Sequence, residues 1–82
     1  MDLIKIGKYI AEKRKALGLT QKQLAEKLNM SDKSVSKWER GICLPDVSIY
    51  MELCSILRIS INEFFAGEDI GAENVIEKSD SN

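Results

Sequence analysis

The 82 residues suffice for one domain, and a chain this short buries only about 60–65% of its unfolded surface, so its core must be compact. Hydrophobic residues at 44% and charged residues at 30% suit a globular chain, while five glycines and one proline are too few for a fold made of many tight β-turns. No apolar run approaches the ~20 residues of a membrane span, and the N-terminal residues lack the apolar core of a signal peptide, so no membrane partner and a cytoplasmic location are expected. Cys43 and Cys54 form no metal-ligand pattern in a chain without histidine, and in a cytoplasmic protein they are expected to be free thiols.

The net charge of -1 divides unevenly. Residues 1–45 hold ten Lys/Arg against five Asp/Glu, a net of +5, and residues 46–82 hold two against eight, a net of -6. A basic half suggests an anionic partner, and an acidic half limits non-specific attachment.

A first helix is expected from about Leu3 to Leu17, where Leu3, Ile6, Ile10 and Leu17 recur at helical spacing, with Gly7 and Arg14 on the same side. Gly18 ends it. Thr20 and Gln23 then read as a capping box opening a short helix to Leu28, with Leu24, Ala25 and Leu28 on one face. Asn29 sits where a left-handed residue would stop that helix. Ser31 caps a third helix, about Asp32 to Arg40, whose only large apolar residues are Val35 and Trp38; Gly41 ends it. After Leu44-Pro45 a fourth helix is expected over Asp46 to Arg58, with Val47, Tyr50, Leu53, Cys54 and Leu57 as its buried stripe. Ser60 and Glu63 form a second capping box, opening a short fifth helix that carries Phe64 and Phe65 and stops near Gly67. The two rings cannot both point inward with equal ease, so one is expected inside and the other exposed. The fold class is therefore all-α, a compact five-helix domain over residues 1–67, followed by an acidic linker or frayed tail over 68–82.

Two short capped helices joined by a turn of about three residues are the helix-turn-helix unit. The third helix has little apolar surface for so central an element, as suits a helix lying in a major groove. Leu19 to Leu28, then Ser34-Val35-Ser36-Lys37-Trp38-Glu39-Arg40-Gly41, then Leu44-Pro45-Asp46, strongly resemble the phage Cro and repressor type of helix-turn-helix, the xenobiotic-response-element family of bacterial regulators. The resemblance covers about residues 4–67.

It implies a sequence-specific regulator that binds double-stranded DNA, as a homodimer on a two-fold symmetric operator. Carried over by position, Asp32, Lys33 and Lys37 would read bases, with Ser31, Ser34 and Ser36 flanking. Gln21 and Arg40 would touch backbone phosphate. Asp32 departs from the common Gln or Arg; it can accept from a cytosine amino group but cannot donate to guanine. Arg14 and Glu39 would form a partly buried ion pair joining the first and third helices. Lys8 and Lys15 are placed away from the groove.

Catalysis is not expected: no Ser or Cys has an obvious base partner, there is no metal cluster or glycine-rich phosphate loop, and no cofactor is implied. Two other readings stay open. The chain could be a protein-interaction module such as an antitoxin or anti-activator, held to a partner protein through its acidic tail. It could also be the DNA-reading fragment of a longer sensor-regulator whose C-terminal domain is missing.

Overall fold

A computed structural model of the protein describes residues 1–71. Five α-helices follow one another: α1 (Leu3–Ala16), α2 (Gln21–Lys27), α3 (Asp32–Glu39), α4 (Tyr50–Leu57) and α5 (Ile61–Ala66), with a 3-10 turn at Val47–Ile49 leading into α4. No strand occurs among the described residues. None of their helices is long and apolar enough to cross a membrane.

Local chemistry sets most of the boundaries. The Thr20 hydroxyl accepts from the Gln23 amide at 3.0 Å, and the Thr20 amide donates to the Gln23 side chain at 2.9 Å. Ser60 and Glu63 repeat the arrangement at 3.0 and 2.8 Å. Each box satisfies two amides that a helix start would otherwise leave unpaired. Asn29, at φ +56°, takes the left-handed conformation that separates α2 from α3.

The start of the fourth helix differs from the sequence expectation. The Asp46 carboxylate accepts from the Ser48 amide at 3.0 Å and from the Ser48 hydroxyl, and this closes a 3-10 turn first. Side chains that bond the backbone two residues on favour such turns over a regular helix. The helix proper begins at Tyr50 and ends at Arg58, a non-glycine residue at φ +60°.

One core joins all five helices. Ile6 and Ile10 of α1 meet Leu24 and Ala25 of α2, Val35 and Trp38 of α3, Leu53 and Leu57 of α4, and Phe64 of α5. Of the two adjacent rings, Phe64 is fully buried and Phe65 lies at the surface, edge-on to both Phe64 and Tyr50. Cys54 is buried and Cys43 exposed, both as free thiols. The tightest approach is between α1 and α3: a methyl group at Gly7 would lie 2.4 Å from the Trp38 carbonyl oxygen and 2.7 Å from that of Glu39. Only a glycine lets the two backbones come this close.

Candidate nucleic-acid interface

The short α3 divides cleanly. Val35 and Trp38, three apart, are buried, and Trp38 is 4% exposed. Asp32, Lys33 and Lys37 are exposed, and Ser34 and Ser36 are half-buried between the two faces. Ser31 accepts from the Ser34 amide across a long 3.4 Å contact. Asp32 in the first turn and Lys37 in the last both suit the helix dipole. Arg40, the C-cap residue, donates through Nε to the Ser36 carbonyl at 3.3 Å and to the Ser36 hydroxyl at 3.1 Å.

The orientation of α3 is held by a junction centred on Glu39. Arg14 donates to its carboxylate through Nε at 2.6 Å and through Nη2 at 2.9 Å, and its third nitrogen donates to the Leu19 carbonyl at 2.7 Å. Both side chains are under 10% exposed. The bonds from Arg14 to Glu39 push the guanidinium pKa further up, against the opposing effect of burial. Gln21 donates its side-chain amide to the same carboxylate at 3.0 Å. So the residue assigned to phosphate in the sequence is also the link from α2 to the α1–α3 pair.

Two features lay outside the sequence reading. The first is a strap just after α5. The Tyr9 hydroxyl and the Lys13 ammonium both donate to the Asp69 carboxylate at 2.7 Å, Lys5 pairs with Glu68, and the Ile70 amide donates to Glu63 at 2.9 Å. The Lys13 ammonium also sits 5.5 Å from the centre of the Tyr9 ring. The bonds from Lys13 and Tyr9 hold the Asp69 carboxyl below the usual carboxylate range, and burial with the nearby carboxylate pushes the Tyr9 hydroxyl up. Residues 72–82, the rest of the segment read as an acidic tail, lie outside the described residues. The spacing of Lys5, Tyr9 and Lys13 on one helical row was visible in the sequence, but nothing local linked that row to residues 68–69.

The second feature is the position of Lys8 and Lys15. They line an open cleft together with Ala11, Glu12, Gln21, Glu39 and Arg40, a grouping that the sequence did not suggest. Gly7 and Arg14 press against α3, and this turns the adjoining flank of α1 toward the end of that helix.

Two short capped helices, a left-handed residue between them and an outward polar face on the second define a helix-turn-helix domain of the phage Cro and repressor type. Residues 10–64 match the helix-turn-helix family, and the chain belongs to it. It is 30% identical over 69 residues to the HTH-type transcriptional regulator ImmR of Bacillus subtilis, covering 84% of this chain and 54% of that one. It is 37% identical over 60 residues to the cryptic phage CTXphi transcriptional repressor RstR of Vibrio cholerae, covering 73% and 54%. Its fold matches the crystal structure of the restriction-modification controller protein C.AhdI from Aeromonas hydrophila with a TM-score of 0.69 at 32% identity, over 77% of this chain and 96% of that one. The chain spans about half the length of these two curated relatives.

Proposed function

We propose that this chain is a cytoplasmic transcriptional regulator, or the DNA-reading part of a longer one, that binds double-stranded DNA with α3 in the major groove. Residues 1–67 are the reading unit, and residues 68–82 are an acidic tail or linker whose first residues, Glu68 to Ile70, are bonded to α1 and α5. The observation that carries the reading is the outer face of α3. Asp32, Lys33 and Lys37 are exposed opposite the buried Val35 and Trp38, on a helix held in place by Arg14, Glu39 and Gln21. Lysine donates to guanine O6 and N7, and a carboxylate accepts from the cytosine amino group, so the three side chains can discriminate base pairs. Arg40 and the flanking Ser31, Ser34 and Ser36 then lie beside the backbone, where contacts fix register and carry no sequence information.

Selection of bound sites from a random DNA pool, followed by titration of the selected duplex, tests this. A recurring site should emerge, with affinity falling linearly in log salt. Lys37→Ala should cost about 1–3 kcal/mol on that site and relax preference at one base pair. If Lys37→Ala weakens every sequence equally, Lys37 is a phosphate contact and the reading moves to Asp32 and Lys33. Affinity that is flat from low to high salt would overturn DNA binding altogether.

A further inference from the structure

The lysines of α1 fall into two groups with opposite fates. Successive residues turn about 100° round a helix. Gly7 and Arg14 face α3, where Gly7 abuts the backbone of Trp38 and Glu39 and Arg14 grips the Glu39 carboxylate. Ala11, Lys15 and Lys8 follow within about 100° on one flank. Lys5, Tyr9 and Lys13 lie further round, and the strap engages them: Glu68 pairs with Lys5, which stays half-exposed, while Asp69 takes both Lys13 and Tyr9.

The uncovered flank adjoins the reading helix. Lys8 and Lys15 share the cleft with Arg40, whose Nε bonds only Ser36. Among the described residues none of these three cations has an acidic partner within salt-bridge distance. Two carboxylates also line the cleft. Glu39 is neutralised by Arg14, and Glu12 is not, so three positive charges against one leave a net of +2. A cleft of this charge, beside a helix that reads bases, fits the phosphates of the strand bordering the groove.

We propose that Lys8 and Lys15, with Arg40, form a second backbone track that takes phosphates flanking the bases read by α3, while the acidic strap withholds Lys5 and Lys13 from the same strand. The inference rests on the DNA-binding reading above and assigns its electrostatic footprint to named residues. Two lysine pairs of equal charge on one helix thereby differ in function, because the carboxylates of residues 68–69 pair with Lys5 and Lys13 and, although Lys8 lies beside them, with neither Lys8 nor Lys15.

The experiment compares two charge-matched double variants of the whole chain, Lys8→Gln/Lys15→Gln and Lys5→Gln/Lys13→Gln, on a random-sequence duplex of 24 base pairs and on the selected duplex. Thermal unfolding of each variant confirms that it folds. Removing Lys8 and Lys15 should make the slope of log affinity against log salt shallower by about 1.8 on both duplexes, about 0.9 for each phosphate that is no longer neutralised. The base preferences should stay as they were. Removing Lys5 and Lys13 should leave the slope unchanged. Equal changes from the two pairs, or no change from Lys8 and Lys15, would overturn the track while leaving DNA binding intact. A wild-type chain that binds neither duplex would overturn both.

Discussion

The Glu39 side chain is 7% exposed, and its carboxylate receives three donors, two from Arg14 and one from Gln21. Removing two charges from water costs several kcal/mol each, and close bidentate geometry roughly offsets that loss. The pair therefore does more to fix the angle of α3 against α1 and α2 than to add stability. Arg14→Ala would leave a buried carboxylate holding only the Gln21 amide, and urea unfolding should show a loss of about 3–5 kcal/mol. Replacing both partners, Arg14→Met with Glu39→Met, should restore much of that loss, since no lone charge is then buried. If the double variant is less stable than either single one, the pair is a net source of stability and this account is wrong. The flank of Arg14 beside Ile10 and Leu17 could be read from helical spacing, but its pairing with Glu39 came through family resemblance. The role of Gln21 could not be read, because a side-chain amide at a helix start gives no local sign that it reaches a carboxylate eighteen residues away.

Helix starts were the most legible elements, because a capping box is completed within four residues. Thr20 with Gln23 and Ser60 with Glu63 bond as their spacing implies. The opening of α4 was less legible: Val47 lies on the helical stripe by spacing, yet the Asp46 side chain closes a 3-10 turn and leaves Val47 73% exposed. The strap of residues 67–70 was not legible at all, since its partners are sixty residues earlier in the chain. It has a measurable consequence. The Asp69 carboxyl is held below its ordinary pKa by Lys13 and Tyr9. A carboxyl whose pKa is lower folded than unfolded stabilises the fold above the unfolded value of about 3.9, and that contribution disappears as pH falls through the folded value. Glu63 and Asp46 are shifted the same way by their own hydrogen bonds, so the acid limb has several sources. The urea midpoint of the wild-type chain should drop between about pH 5 and 3 more steeply than that of Asp69→Asn. Identical slopes for the two chains would mean that the bonds of Asp69 to Lys13 and Tyr9 contribute nothing in solution.

At the scale of the whole molecule, α3 has eight residues, and a helix of that length laid in the major groove would span only a few base pairs, which is little information for a specific site. A two-fold dimer doubles it, with half-sites about 34–36 Å apart so that both copies of α3 enter the groove from one side of the duplex. The surface suited to the contact lies on the acidic side of the charge division, where α4 and α5 expose Met51 at 77% and Phe65 at 37%. Scattered exposed apolar residues are ordinary on a monomer. Most of the large apolar side chains of these helices already serve the core, Leu53, Leu57 and Phe64 among them, so little is left for an extended interface. If the chain pairs through this surface, that shortage makes the expected dimer weak in free solution and dependent on DNA for its completion. Footprinting at saturation should show two protected half-sites, and sedimentation of the free chain should show a mostly monomeric species at micromolar concentration. Phe65→Glu should reduce the footprint to one half-site while leaving the base preferences of that half-site intact, because α3 is not altered. A wild-type footprint of a single asymmetric half-site at saturation would exclude the dimer. The sequence specificity would then have to come from one copy of α3 together with contacts along the flanking backbone.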